Sequence, residues 1–569
     1  MLAFAMAGQG GGYRNAPNLE GKMSDEVTPA LSEPARPEPS TRFSRRGFMG
    51  AAAAGAGAVA FGGLVAGATP ARAVTTTEVS ARAVIVGTGF GGGVTALRLG
   101  KAGVSTLVLE RGLRWPTGPN SNTFATLANL DNRSAWLSPY APVPGAPPFP
   151  LWSPYTGVLE VINGNGITVN CGACVGGGSI MYHGMTLQPS ITEFARSMPL
   201  ATGLYPELNS TWYPTVASML GISTIPNDVL NSSPYASSRI FLNVAPKAGL
   251  QTFRVPLPVD WNFVRGELNG QYNAAYTNSD IAFGVNNGGK HSIDVTYLAA
   301  AEATGKVQVQ TLHVVRDIKL GADKKWVLSV DRIDTGGAVL EHKNITANAV
   351  FLNAGSPGTT RLLVKAKGKN LIPNLPDAVG TQWGNNGDRI YSWTGMNDDP
   401  GTKEGGPAAV GGIDPLSAIP LRIIHAGAPP AALTGGRFMT VVGFGIVPAP
   451  GTWAYDSSTD DAKLTWPTNA DAALQTLIRN KMNAIAQAGG GTMTDTNATQ
   501  ASTWHALGGV PMGSAVDLYG RVLGQSGLYV LDGARIPGST GACNPSMTIA
   551  ALAEHSMARI VSQDIGRVF

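Results

Sequence analysis

The segment Ala83-Val84-Ile85-Val86-Gly87-Thr88-Gly89-Phe90-Gly91-Gly92-Gly93 constrains the chain more than any other. Four small or β-branched apolar residues read as a buried strand. Gly87, Gly89 and Gly92 follow in G-x-G-x-x-G spacing. The first glycine allows a tight turn, the second lets backbone approach a pyrophosphate, and the third lets a helix pack close to the strand. Val94 to Ala102 continues as that helix, with its N-terminal N–H groups toward the phosphates. A second buried strand, Thr106-Leu107-Val108-Leu109, ends in Glu110. That carboxylate stands where an acidic residue hydrogen-bonds an adenosine ribose. Glycine is abundant here, at 73 residues, so the spacing alone is weak. Strand, glycines, helix, strand and terminal Glu in one run predict a dinucleotide site.

At 569 residues the chain is long enough for more than one domain. A formal charge of +4 is small for this length, and no Lys/Arg block stands out, which argues against nucleic acid. Three cysteines are too few for a disulfide framework. Residues 1–73 read as a leader. Ser44-Arg45-Arg46-Gly47-Phe48-Met49 is a twin-arginine pattern, followed by a Gly/Ala-rich apolar stretch from Gly50 to Gly67 and the small residues Ala71-Arg72-Ala73. This predicts twin-arginine export, with Met23 as an alternative start. The apolar stretch is too rich in glycine to make a good membrane anchor.

Dinucleotide-type segments recur along the rest of the chain. Strands are expected from Val307 to Ile318, and Asn348 to Leu352 runs into Gly355 with a helix from Thr359 to Lys365. Leu528-Tyr529-Val530-Leu531 stops at Asp532-Gly533, and a final helix covers Thr548 to Gln563. The expected fold is α/β with mixed α+β character. A Rossmann-like nucleotide domain takes 74–112, 165–190, 285–395 and 501–569. A discontinuous substrate domain and lid take 113–164, 191–284 and 396–500, built on a mixed or antiparallel sheet. Cys171 and Cys174 have C-x-x-C spacing without a second pair, so no metal site is expected. They read as two buried thiols, with a redox disulfide as the alternative.

These motifs converge on a family. Gly87-Thr88-Gly89-Phe90-Gly91, Glu110, Val175-Gly176-Gly177-Gly178-Ser179, Thr311-Leu312-His313, Ala354-Gly355-Ser356, Trp504-His505-Ala506-Leu507-Gly508-Gly509, Asp532-Gly533 and Asn544-Pro545 occur in one order from about residue 80 onward. In this the chain resembles the glucose–methanol–choline (GMC) flavoprotein oxidoreductases, and within them the actinobacterial cholesterol oxidases. The resemblance implies FAD as cofactor. Phe90, Gly91, Gly178, Met185, Gly533 and Asn544 would then line the flavin, Glu110 would take the ribose, and Val315 would bind the adenine edge. Gly87, Gly89, Gly92 and Asp532 complete the expected cofactor residues.

Oxidising an alcohol to a carbonyl requires a hydride acceptor, which flavin N5 supplies, and a group to take the hydroxyl proton. Histidine suits the proton because it titrates near neutrality. His505 matches the family's histidine and Asn544 its asparagine, whose amide would orient the hydroxyl. His425 falls, by hand alignment, where a steroid-isomerising glutamate stands in the cholesterol oxidases; the alternative is a surface loop residue. Tyr182-His183 and Ala173 depart from the family pattern, and His183 is displaced from the family's flavin-linking histidine. The resemblance implies a secreted alcohol oxidase acting on a sterol-like secondary hydroxyl, with O2 as acceptor and H2O2 as product. Its partners would be a small-molecule alcohol and at most a transient membrane surface. The alternatives are a dehydrogenase of the same fold with another acceptor, a flavin protein that only binds lipid, and an NAD enzyme. If a Δ5-3β-hydroxysteroid is a substrate, the Δ5-3-ketone is expected to accumulate, and His425→Glu to speed isomerisation.

Overall fold

The structure, a computed structural model, describes residues 74–141, 149–151, 153–429 and 437–569. The twin-arginine segment and the apolar stretch behind it lie outside the described residues. The described residues form one compact unit.

The first strand, Thr75–Val86, is longer than the apolar run that announces it. Its first half is exposed and polar, and its last four residues are buried. Burial of side chains such as Val84 and Ile85 contributes roughly 1.5–3 kcal/mol each. The strand sits centrally in a seven-stranded sheet, parallel to Thr106–Leu109 on one side and to Val339–Leu352 on the other. Val307–Gln310 extends one edge in parallel. Trp326–Ile333 and His313–Leu320 extend the other edge antiparallel, and Leu528–Val530 pairs with the end of Val339–Leu352. The helix Phe90–Lys101 crosses between the first two strands and packs on the last helix, Ser546–Gln563. Every residue from Gly91 to Leu97 is buried.

The turn between strand and helix is fixed by space. Gly87 has φ +95°, and a Cβ there would lie 2.3 Å from the Asn353 carbonyl oxygen. A Cβ on Gly92 would lie 2.1 Å from the Gly87 carbonyl oxygen. Gly92 is therefore the close-packing glycine between strand and helix.

A second sheet of six strands is antiparallel throughout. Its order is Thr492–Asp495, Arg389–Thr394, Phe438–Gly445, Leu421–Ala426, Val410–Ile413 and Gln251–Arg254. The helix Ala472–Gly489 covers one of its faces with Leu474, Ile478 and Met482. Pairing places Arg389–Thr394 in this sheet, so the sequence-based boundary at 395 falls one strand too late. Residues 191–284, which show no clear period, form short helices such as Ile191–Ser197, Tyr213–Met219 and Trp261–Leu268. Each is about two turns or fewer, too short for a 3.6-residue pattern to declare itself. The segment after Trp115 packs Trp115 and Phe124 against Ile180 and Phe283 in a small core of its own.

Replacing Gly92 with Ala forces backbone apart at the strand–helix contact. The expected cost is about 3 kcal/mol, the upper range for overpacking. Chemical denaturation of Gly92→Ala checks it; a midpoint equal to wild type would contradict the packing role.

Candidate active site

A cavity of about 1210 Å³ opens between the two sheets. A site for one small ligand usually measures about 300–1,000 Å³. The space is large enough for a cofactor and a second molecule.

One end of the cavity is main chain. Gly87 to Gly91, Gly177, Gly178 and Gly355 to Gly358 all reach its wall. The first intrahelical bond of Phe90–Lys101 runs from Gly93 N to Gly89 O (2.8 Å), which leaves the preceding N–H groups free at the helix start. The helix Gly355–Gly368 also begins at the wall. Two helix N-termini thus face the space, as anion-binding ends. A Cβ on Gly89 would meet nothing within 4 Å, and the same holds for Gly178. Both glycines stand open to the cavity, where side chains would fill the space a ligand needs.

Glu110 lies at the same wall, buried. Its Oε2 accepts from Thr88 Oγ1 (2.6 Å) and Thr88 N (3.2 Å), and its Oε1 from Gly112 N (3.0 Å). Burial pushes its pKa up against these hydrogen bonds. The carboxylate ties the glycine turn to the end of the second strand. Val315 and Phe90 line the wall, as do Met185, Asp532 and Gly533. Asp532 accepts from Thr359 Oγ1 (2.6 Å) and Ala534 N (2.9 Å), and burial raises its pKa to about 6. Gly92, expected among the cofactor residues, does not reach the wall; its role is the packing described above. Open glycines, free helix amides, an acid at the second strand end and the volume together fit FAD. That group, when bound, supplies the two-electron acceptor.

The other end is built by the six-stranded sheet. Ile390, Ser392, Ala426, Thr440 and Val442 present one face to the cavity, joined by Leu127 and Phe283. His505 and Asn544 stand at the wall too. His505 Nδ1 lies 2.8 Å from Asp388 Oδ1. An ionised carboxylate only accepts, so Nδ1 carries the proton and Nε2 keeps its lone pair. Asp388 Oδ2 accepts from Thr503 Oγ1 (2.7 Å) and Trp504 N (3.1 Å), and His505 N donates to Thr503 Oγ1 (2.9 Å). Asp388 thus fixes both the tautomer and the loop. It was not singled out from sequence. The run Asn385-Asn386-Gly387-Asp388 reads only as a turn, and its partner lies 117 residues away.

Asn544 differs from the sequence expectation. Its Nδ2 donates to Met185 O and to Ser546 Oγ (2.8 Å), and its Oδ1 accepts from Leu187 N (3.1 Å). Both amide donors are committed to protein, so Asn544 secures the segment 185–187 at the wall instead of offering a donor to a hydroxyl.

His425 departs further from the sequence expectation. It is fully buried in the strand Leu421–Ala426, so it is no surface loop residue. Its neighbour Ala426 and the paired Thr440 and Val442 face the cavity, so period-2 alternation turns His425 to the opposite face. There its Nδ1 lies 3.4 Å from Ser238 Oγ and its Nε2 3.9 Å from Glu404 Oε2. Glu404 itself accepts from Ala428 N (3.0 Å) and does not reach the cavity.

Tyr182 and His183 line the cavity beside the glycine loop. Lys290 Nζ donates to the carbonyl of Ile180 (2.7 Å) and to that of Tyr182, and holds this turn. Burial lowers the Lys290 pKa to about 7, and burial with the nearby Lys290 charge lowers that of His183 to about 4. Cys171, Cys174 and Cys543 are free thiols, and burial raises the pKa of each. Among the described residues no cluster of His, Cys, Asp and Glu suits a metal ion, and no helix is long and apolar enough to cross a membrane.

Fold and site define a flavin-dependent oxidoreductase with a nucleotide domain and a sheet-walled substrate space. Residues 455–553 match the family model of the GMC oxidoreductases. The chain is 26% identical over 555 residues to a cholesterol oxidase of Mycobacterium tuberculosis (strain CDC 1551 / Oshkosh), covering 83% of this chain and 90% of that one. It is 24% identical over 549 residues to a cholesterol oxidase of Acinetobacter baumannii, covering 84% and 94%. Its fold is similar to that of a solved fungal aryl-alcohol oxidase, with TM-score 0.58, 14% identity, and coverage of 85% and 99%. The chain is thus similar to the GMC oxidoreductases in sequence and fold, and is an FAD-dependent enzyme acting on CH–OH groups.

Gly89→Val tests the cradle. A valine here meets no protein atom on its Cβ and keeps an allowed backbone, at φ −70° and ψ −159°. The variant is expected to purify without FAD and to match the thermal midpoint of wild-type apoprotein. Retained yellow colour at wild-type FAD content would refute the assignment.

Proposed function

We propose that the chain is an exported oxidase that converts a secondary, sterol-like hydroxyl to a ketone and uses O2 as acceptor, giving H2O2. The observation that carries the reading is the pair His505–Asp388 at the cavity wall. The imidazole Nε2 takes the hydroxyl proton, and the Asp388 carboxylate stabilises the imidazolium that forms. The sheet face holds the carbon skeleton, with Ser392 and Thr440 as the polar side chains among its six wall positions, Phe438 included. Two relatives named cholesterol oxidase, aligned over most of both chains, support a sterol-like substrate. The twin-arginine pattern at Arg45-Arg46 supports export of a protein that folds around its cofactor first. Anaerobic mixing with cholesterol and with other secondary and primary alcohols tests the activity by loss of flavin colour. Peroxide yield under air tests the acceptor: peroxide below the alcohol consumed would point to a dehydrogenase.

His505→Ala is expected to keep FAD and to slow flavin reduction about 10²–10⁴-fold, the range for losing an acid–base group. Stopped-flow rates within a few-fold of wild type would make His505 structural.

A second expectation follows from the wall. The six sheet residues facing the substrate space, Phe438 included, carry no carboxylate and no imidazole. Moving a steroid double bond needs a base that takes a proton from one carbon and returns it to another. With a Δ5-3β-hydroxysteroid the Δ5-3-ketone is expected to accumulate ahead of the Δ4-3-ketone. Because His425 faces away, His425→Gln should leave the product ratio unchanged, and His425→Glu should not speed isomerisation. Chromatography of the products over time decides; immediate conjugated enone from wild type would show that an imidazole of the cavity, His505 or His183, reaches the double bond.

A further inference from the structure

His505 and Asn544 sit on different loops, and nothing in local sequence sets one relative to the other. Both loops meet one buried turn. Asn385 and Asn386 are fully buried, and Asp388 is nearly so. Asp388 receives Thr503, Trp504 and His505 as described above. Asn386, two residues before it, binds the other loop. Its Nδ2 donates to Cys543 O (2.9 Å), the carbonyl just before Asn544, and its Oδ1 accepts from Thr540 N (3.1 Å). Its backbone is anchored as well, with Asn386 N donating to Gly538 O (3.1 Å) and Gly445 N donating to Asn386 O (3.3 Å).

The geometry restricts which residue can do this. Asn386 has φ +53°, a left-handed conformation that asparagine tolerates better than most residues. The loop it holds is itself strained, since Ala542 has φ +57°. A non-glycine residue is disfavoured there. Thr540 Oγ1 donates to Cys543 O (2.7 Å), and Arg422 Nη1 donates to Ala542 O (2.6 Å). Bonds from Asn386 and from the six-stranded sheet therefore oppose a loop that would otherwise relax.

We propose that Asn386 is a positioning residue for the alcohol oxidation. Through Cys543 it fixes Asn544, and the turn it shares with Asp388 holds the Asn544 and His505 loops in one register. Asn386 does not reach the cavity, so it acts only through these bonds. The inference rests on the oxidase reading above for its kinetic consequence.

The test uses holoenzyme carrying Asn386→Asp, which keeps the left-handed preference and the acceptor but replaces the donor with an oxygen. With cholesterol as probe, KM, FAD content and thermal midpoint are expected to stay near wild type. The rate of flavin reduction is expected to fall about 10- to 100-fold, as small misplacements of reacting groups do. In an Asn544→Ala background the same substitution should cost less than it does in wild type. A wild-type rate, an additive loss, or a loss matched by lost FAD overturns the proposal. Asn386→Gly, which keeps the backbone conformation and removes both amide bonds, gives a readout that needs no substrate. Hydrogen exchange at the Thr540 amide should rise about 10-fold or more, one lost hydrogen bond's worth, and unchanged exchange overturns the proposal. If cholesterol and the other alcohols leave wild-type flavin oxidised, the oxidase reading fails while the exchange result still decides the brace.

Discussion

The fold depends on a place where backbones come closer than a Cβ permits. Gly87 presses on Asn353, Gly92 on Gly87, and Gly91 on the Leu531 carbonyl, at distances of 2.1–2.5 Å from where a Cβ would stand. Gly177 meets Gly89 in the same way, at 3.0 Å. Strand, crossover helix and two distant segments therefore converge as main chain. Each glycine costs about 0.5–1 kcal/mol of chain entropy relative to alanine. What the arrangement gains is a cavity floor of N–H groups, with no side chain between the sheet and a dinucleotide.

That floor is legible in sequence because it is local. Strand, turn, helix, strand and acid occupy residues 83–110 without interruption, and each glycine has a different steric reason to be there. The chemistry is less legible. His505 is readable from its motif, but the carboxylate that sets its tautomer is 117 residues away in a run of turn residues. His425 fails for another reason. Alignment fixes a position along a strand only to within a residue, and a shift of one residue exchanges the two faces of a sheet. Asn544 is placed at the wall as the motif implies, yet its amide is spent on Met185, Leu187 and Ser546. No sequence pattern reports which hydrogen bonds a side chain has already made.

The six-stranded sheet separates two tasks by alternation. Ile390, Ser392, Thr440, Val442 and Ala426 face the cavity. Tyr391, Trp393, Val441 and His425, between them on the same strands, are buried on the other face, where Phe241 lies 6.1 Å from the His425 ring. Ala426 and Val442 also pack against the helix-covered core, so the substrate wall and that core are joined at these two positions. Asp388 lies immediately before the strand Arg389–Thr394, so the pair's carboxylate is held at the end of the very sheet that shapes the substrate space. The base is thereby referenced to the substrate wall, while the cofactor end is referenced to the glycine floor. Where the two frames meet, at His505 and Asn544, the turn Asn385–Asp388 is bonded to both loops.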